Sequence, residues 1–143
     1  MGQQKFGVIG LAVMGENLAL NVESNGFPIS VYNRSGDKTD KFMSERAGGK
    51  NVHAAYTLED FVQSLERPRR ILVMVKAGNP VDKVIEDLKP LLDKDDMIID
   101  GGNSLYEDTE RRTRDLESTG LGFMGMGCLL YTSDAADELL CVD

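Results

Sequence analysis

The stretch Phe6-Gly7-Val8-Ile9-Gly10-Leu11-Ala12-Val13-Met14-Gly15 decides the fold. Its first four residues are typical of a buried strand, and residues 10–15 form a Gly-x-Ala-x-x-Gly loop that opens a helix. In such a loop Gly10 permits a tight turn, the small Ala12 lets the backbone approach a pyrophosphate, and Gly15 lets helix and strand pack closely. The helix N-terminus adds unpaired N–H groups and a partial positive charge. The stretch therefore predicts a dinucleotide-binding loop, with an ordinary strand-to-helix turn as the alternative.

The rest of the chain alternates short apolar runs with longer amphipathic ones, which indicates α/β units. The predicted strands are Phe6–Gly10, Ile29–Asn33, Val52–Ala55, Ile71–Val75, Met97–Asp100 and Leu121–Met124. Predicted helices include Met14–Glu23, Asp37–Arg46, Leu58–Leu65, one from Asn79 and one over about Tyr106–Ser118. Most of the strands are continuously apolar, as parallel strands buried on both faces are. The order predicts a Rossmann-like, doubly wound parallel sheet with ligands at the carboxyl ends of its strands.

Two of these helices carry specific local predictions. Asn79 is expected to cap the fourth helix, with Pro80 at the first helical position. Apolar residues of that helix recur at helical spacing and predict a buried stripe, which Pro90 should bend or end. In the fifth helix Arg111, Arg112 and Arg114 each follow an acidic residue by four positions. We interpret these arginines as a solvated face rather than a ligand site.

Asn33-Arg34-Ser35 ends the second predicted strand, 18 residues after Gly15. An NAD-binding protein would place an Asp or Glu here to hold the ribose 2′-hydroxyl. A carboxylate would repel a 2′-phosphate, whereas this chain offers an amide, a guanidinium and a hydroxyl. A hydrogen bond to a charged group contributes roughly 1.5–3 kcal/mol, or about 10- to 150-fold in affinity. The triplet therefore favours NADP as the cofactor, with a polar turn as the alternative.

Two further loops follow strands that line the predicted crevice. Lys76-Ala77-Gly78 follows the fourth strand, and Gly101-Gly102-Asn103-Ser104 follows the fifth. Paired glycines allow a close approach of backbone to ligand, and Asn103 offers both a donor and an acceptor. Ordinary turn chemistry explains either loop equally well.

The composition excludes several classes of function. Of 143 residues, 41% are hydrophobic and 28% charged, and the formal net charge of −8 opposes binding to nucleic acid or to an anionic membrane. The longest apolar runs are far short of a membrane span, and the N-terminus lacks a signal pattern. The two cysteines, Cys128 and Cys141, suggest neither a disulfide framework nor a metal site. We expect a cytoplasmic protein without a bound metal.

Taken together, these segments resemble 6-phosphogluconate dehydrogenase, the decarboxylating enzyme of the pentose phosphate pathway. The resemblance runs from about Lys5 to Gly127. It rests on Ile9-Gly-Leu-Ala-Val-Met-Gly15, Asn33-Arg34-Ser35, Pro68-Arg-Arg70, Val75-Lys-Ala-Gly78 and Ile99-Asp-Gly-Gly-Asn-Ser104, in this order. It implies an oxidoreductase that oxidises 6-phosphogluconate with NADP and releases carbon dioxide and ribulose 5-phosphate.

The resemblance also implies a role for individual residues. The pyrophosphate would be held by Gly10, Leu11, Ala12, Val13, Met14 and Gly15. Asn33, Arg34 and Ser35 would hold the 2′-phosphoribose. The cofactor cleft would be lined by Val75, Lys76 and Ala77, and Asn103 would touch both cofactor and substrate.

Residues 1–127 are thus expected to form an NADP-binding domain, and residues 128–143 a poorly ordered tail that does not resemble the family. The family's helical domain, with its lysine base, glutamate acid and most of its homodimer interface, has no counterpart here. We therefore assign no catalytic residue and expect weak NADP binding without turnover. A different β-hydroxyacid dehydrogenase, or an NADP-binding module without catalysis, remain the alternatives.

Overall fold

The alternating pattern folds into one parallel sheet flanked by helices in the computed structural model, which describes residues 4–75, 78–101 and 106–125. The strands are β1 (Phe6–Ile9), β2 (Ile29–Tyr32), β3 (Val52–Ala55), β4 (Arg70–Val73), β5 (Met97–Asp100) and β6 (Gly122–Gly125). The helices are α1 (Val13–Ser24), α2 (Gly36–Glu45), α3 (Leu58–Gln63), α4 (Asn79–Leu88) and α5 (Tyr106–Glu117), with a short 3-10 helix at Lys89–Leu91. Among the described helices, none is long and apolar enough to cross a membrane.

The strand order confirms the predicted doubly wound topology. Within the described residues the order is β3-β2-β1-β4-β5-β6, and every neighbouring pair is parallel. The chain winds outward from β1 to β3, then crosses back to place β4 on the other side of β1. This reversal opens a crevice beyond the carboxyl ends of β1 and β4, where such folds bind ligands.

Successive residues of the central strands point to opposite faces of the sheet and fill two separate cores. Ile9 of β1 belongs to one buried cluster, together with residues of α3, α4 and α5. Its neighbour Val8 belongs to the other cluster, with residues of α1 and α2. This two-sided burial explains why the strands read as continuous apolar runs.

An ion pair ties the amino ends of β4 and β5 together, at the edge opposite the crevice. Arg69 is 6% exposed and donates through Nη1 to Oδ2 of the fully buried Asp96 at 3.0 Å. The other carboxylate oxygen of Asp96 accepts the backbone N–H of Arg69 at 2.7 Å. The Pro68-Arg-Arg70 segment therefore contributes to the sheet rather than to the crevice.

The predicted start of α4 was wrong by one residue. Gly78, not Asn79, is the capping residue, and Asn79 is the first residue of the helix. Gly78 has φ 95°, a left-handed conformation that suits glycine, and its carbonyl accepts the N–H of Val81 at 3.1 Å. The predicted apolar stripe is confirmed, since Val81, Ile85 and Leu88 are buried and the α-helix ends before Pro90.

The interpretation of the α5 arginines as one solvated face was also wrong. Arg114 is exposed and lies 3.7 Å from Glu110, as predicted. Arg112, however, has a side chain only 2% exposed and contacts Asp82 of α4 and Asp100 of β5. The spacing of acids and arginines along α5 is the same for both residues, so the burial of Arg112 depends on the packing of α5 against its neighbours.

Candidate dinucleotide-binding site

The glycine loop lies at the junction of β1 and α1, at the crevice. Gly10 has φ 103°, and a Cβ there would approach the carbonyl carbon of Met74 to 2.8 Å. A Cβ on Gly15 would collide with the carbonyl oxygen of Gly10. Any larger residue at either position would push the loop away from β4 or α1 away from β1.

The first turn of α1 presents its backbone N–H groups to the crevice. Ala12 is the capping residue, makes no side-chain cap, and its carbonyl accepts the N–H of Glu16 at 2.9 Å. The four N–H groups before that bond have no partner within the helix. Val13 and Met14 beside them are 72% and 65% exposed. Such a helix end is suited to hold an anion such as a phosphate.

Asn33 connects the end of β2 to the glycine loop. Its side-chain Oδ1 accepts the backbone N–H of Leu11 at 2.8 Å, and its Nδ2 donates to the carbonyl of Ser35 at 3.1 Å. The neighbouring N–H of Gly10 donates to the carbonyl of Tyr32 at 2.9 Å. The first half of the loop is therefore held by hydrogen bonds to the end of β2.

A cleft of about 740 Å³ opens between the end of β2 and helix α4. Its lining includes Ile9, Gly10, Tyr32, Asn33, Arg34, Leu58, Val75, Asn79, Pro80, Lys83, Val84 and Asp87. Arg34 and Lys83 place two cations in the walls, and Lys83 Nζ lies 3.6 Å from Oδ1 of Asp87. Clefts of this size, largely apolar with a few polar groups, are typical of ligand sites.

The end of β5 borders the crevice on the other side of β4. The N–H of Gly101 donates to the carbonyl of Val73 at 2.8 Å. A Cβ on Gly101 would approach Leu72 Cδ1 to 2.9 Å and collide with the sulfur of Met74. A larger residue here would displace the side chains of Leu72 and Met74, so glycine suits the position at which the chain leaves β5 close to the end of β4.

Arg112 lies behind this edge of the crevice and donates to two acceptors at the start of α4. Its Nε donates to Asp82 Oδ1 at 2.7 Å, and its Nη2 donates to the carbonyl of Gly78 at 3.2 Å. The hydrogen bond from Arg112 holds the pKa of Asp82 below its ordinary value, and the charges of Arg112 and Arg111 act in the same direction. Partial burial of the carboxyl opposes this shift but does not outweigh it.

Comparison with known proteins identifies the family. Residues 5–129 match the model of the NAD binding domain of 6-phosphogluconate dehydrogenase.

The chain belongs to this family.

Curated relatives and a solved structure agree with this NAD-binding family. The chain is 77% identical over 127 residues to the decarboxylating 6-phosphogluconate dehydrogenase of Synechocystis sp., covering 89% of this chain and 26% of that protein. It is 59% identical to the NADP(+)-dependent, decarboxylating enzyme of Bacillus subtilis, over 89% of this chain and 27% of the relative. The structure of Plasmodium falciparum 6-phosphogluconate dehydrogenase has a TM-score of 0.78 and 39% identity, over 85% of this chain and 27% of that one. The chain thus spans about a quarter of the length of these relatives.

The structure brings most of the predicted residues together at the carboxyl ends of the strands. Gly10 of the glycine loop, Asn33, Arg34 and Val75 line a common cleft, and Ser35 is the residue before the first turn of α2. Leu11 is 2% exposed, so its side chain belongs to the core of the NAD-binding domain. Lys76, Ala77, Asn103 and the tail at 128–143 lie outside the described residues, and their roles stay predictions.

Helix α4 contributes to the cleft, which the sequence did not predict. Asn79, Pro80, Lys83 and Asp87 line its wall, although the sequence marked Asn79 and Pro80 only as the start of a helix. Their spacing could have indicated this shared position, because residues three or four positions apart lie on one face of a helix. They lie beside the buried stripe of the same helix, whose members face the core.

Proposed function

We propose that this chain is the NADP-binding part of a decarboxylating 6-phosphogluconate dehydrogenase. The observation that carries the proposal is the position of Arg34, in the wall of the same cleft as Gly10 of the phosphate-binding loop. A guanidinium at this position favours a phosphorylated ribose, whereas an NAD-binding site favours a carboxylate. The relatives support the same choice, since one of them is named as NADP(+)-dependent.

The described residues fit a dinucleotide. Gly10 and Gly15 allow the loop to pack closely, because a Cβ on either would collide with neighbouring backbone, and the small side chain of Ala12 leaves room for the pyrophosphate. The exposed N-terminus of α1 would hold the phosphates, and Arg34 with Lys83 would face the 2′-phosphoribose. When bound, NADP supplies the hydride acceptor for oxidation of an alcohol.

The part of this chain in the reaction is to bind and orient the cofactor. The apolar residues of the cleft, among them Ile9 and Val84, exclude water from one side of the adenosine half. The junction of β1 and α1 would hold the pyrophosphate, and the nicotinamide half would then lie on the side of the crevice bordered by β4 and β5. We assign no proton transfer to these residues. The names of the relatives support 6-phosphogluconate as the substrate of the whole enzyme. A homodimer stays a prediction.

The proposal is tested by titrating the purified chain with NADP⁺ and NAD⁺ in a calorimeter. Arg34→Ala is expected to weaken NADP⁺ binding about 10-fold or more, the loss of a hydrogen bond to a charged group, and to leave NAD⁺ nearly unchanged. Arg114→Ala is the matched control, because Arg114 is exposed on α5 and pairs with Glu110. Equal losses for both cofactors would show that Arg34 does not read the 2′-phosphate.

A further inference from the structure

The guanidinium of Arg112 is buried and joins three elements of the fold. From α5 it reaches Asp82 and the carbonyl of Gly78 at the start of α4, at 2.7 and 3.2 Å. Its Nη1 also lies 3.6 Å from Oδ2 of Asp100, the last residue of β5, whose side chain is 1% exposed. A buried charge is costly unless it is paired, so these contacts constrain one another.

The acceptors lie where α4 and β5 meet the crevice. Gly78 is the residue that caps α4, and Asp100 directly precedes Gly101, whose backbone is held against β4. A dinucleotide in this fold crosses the carboxyl ends of the strands from one half of the sheet to the other. If the adenosine half faces Arg34 at the end of β2, the nicotinamide half would extend towards the ends of β4 and β5.

We propose that Arg112 is a positioning residue for the nicotinamide half of the cofactor. It fixes the start of α4 relative to the end of β5, so that the backbone at Gly78 and Gly101 is already in place when the cofactor binds. This inference rests on the proposed function. A guanidinium is suited to the task because its five donors diverge in one rigid plane and reach three acceptors at once, whereas a lysine ammonium is a point charge on a flexible stem.

The adenosine half should not depend on Arg112. Helix α4 lines the cleft beside Arg34 and is held against the sheet by its buried residues Val81, Ile85 and Leu88. Asn79 and Pro80 of the first turn also border this cleft, but Lys83, Val84 and Asp87 lie further along the helix. The loss of a contact at the first turn therefore changes mainly the edge of the crevice towards β5 and leaves the wall formed by these three residues in place. This separation makes the inference measurable, because a ligand that contains only the adenosine half reports on that wall alone.

The chain offers a matched control in the preceding residue. Arg111 lies on the same helix and also contacts Asp82, at 3.4 Å, but its side chain is 46% exposed. Its other contact is with Asp108 of α5 at 3.5 Å. A change at Arg111 thus perturbs the same carboxylate without removing the connection to Gly78 or Asp100.

The experiment compares wild type, Arg112→Lys and Arg111→Lys by calorimetric titration with NADP⁺ and with adenosine 2′,5′-bisphosphate. Arg112→Lys is expected to weaken NADP⁺ binding about 10-fold, within the range of coupling between sites, and to leave the bisphosphate within about twofold of wild type. Arg111→Lys is expected to bind both ligands as wild type does. Asp82→Asn, at a more exposed position, is expected to show the same selective loss and carries the test if circular dichroism shows that Arg112→Lys is unfolded.

Each of the remaining outcomes refutes either the positioning role of Arg112 or the proposed function. Equal weakening of both ligands by Arg112→Lys, or by Asp82→Asn where that variant carries the test, would mean that the contact only stabilises the fold. Unchanged NADP⁺ binding would mean that the contact does not act on the site. Either result refutes the positioning role while the proposed function stands. If wild type binds neither ligand, the proposed function itself fails.

Discussion

Replacing Asn33 by alanine is expected to weaken the binding of NADP⁺ and NAD⁺ by the same factor. Its Oδ1 accepts the N–H of Leu11 at 2.8 Å, across 22 residues of sequence. Leu11 is 2% exposed, so water has little access to the N–H once the amide is removed. The loop that holds the pyrophosphate, which both cofactors share, would lose one of its anchors.

The magnitude follows from the hydrogen bond that is lost. A donor left unsatisfied in a partly buried position costs about 1–3 kcal/mol. The second bond of Asn33, from Nδ2 to the carbonyl of Ser35, is exposed and adds little. If about 1–2 kcal/mol is needed to restore the loop when a cofactor binds, both affinities fall about 5- to 30-fold.

Asn33→Asp separates this anchoring from the choice of cofactor. The aspartate keeps an acceptor for Leu11 but adds a negative charge at the end of β2. Two charges about 6 Å apart repel by about 0.7–2.8 kcal/mol for effective dielectric constants of about 80 to 20, which is about 3- to 100-fold against NADP⁺. NAD⁺ binding should be unchanged or improved, because a carboxylate at this position can accept from ribose hydroxyls.

The assay is calorimetric titration of both variants with both cofactors, after circular dichroism has confirmed that they are folded. Asn33→Ala is expected to lower both affinities together, and Asn33→Asp is expected to lower only the affinity for NADP⁺. A loss confined to NADP⁺ in Asn33→Ala would refute this expectation, since Asn33 would then act on the 2′-phosphate and not through the loop.

Three further predictions concern packing, pH and charge. Gly15→Ala would drive a methyl group into the carbonyl of Gly10 and should abolish NADP⁺ binding in the same titration. The control is Gly48→Ala, whose added methyl group has its nearest neighbour 3.8 Å away, and its free energy of unfolding in urea should lie within about 0.5 kcal/mol of that of wild type. Normal NADP⁺ binding by Gly15→Ala would contradict the close packing. The folded-state pKa of Asp82 is lowered, so its contribution to stability is complete above its ordinary value near 3.8 and is lost as pH falls through the lower folded value. Urea unfolding of wild type and Asp82→Asn should therefore converge only below about pH 4, and a gap that widens on acidification would show the opposite sign. Lys83→Glu should lower the affinity for NADP⁺ up to about fivefold at low salt and less at high salt. A loss of affinity that does not depend on salt would exclude a direct charge effect.

The sequence was sufficient to predict the architecture, because burial on both faces leaves continuous apolar runs that amphipathic segments separate. Even the weak run Val52–Ala55 is a strand with the predicted bounds. The ends of the strands were less predictable. The sequence predicts Val75 in the fourth strand, yet that strand ends at Val73, and Val75 lines the cleft. An apolar side chain does not reveal whether it faces a core or the wall of a site, so the boundary depends on the packing of the loop.

The errors at Asn79 and Arg112 have different physical causes. Asn79 has a side chain suited to capping, but Gly78 can adopt a left-handed conformation, which turns the chain into the helix one residue earlier. Arg112 has the same local environment in sequence as its exposed neighbours on α5. Its acceptors lie on α4 and β5, and contacts over such distances leave no trace in local spacing.

The hydrogen bonds of the glycine loop also decide which of its residues can meet a phosphate. The N–H of Gly10 is bonded to Tyr32, and that of Leu11 to Asn33, so neither is available as a donor. The N–H groups of residues 12–15 have no partner within α1 and lie where the partial positive charge of the helix is concentrated. The first two residues of the loop therefore hold its conformation, and the N–H groups of the first turn of the helix would bind the negatively charged pyrophosphate. Affinity for either cofactor then depends on how firmly β2 holds that turn in place, because an anchored loop loses less entropy on binding.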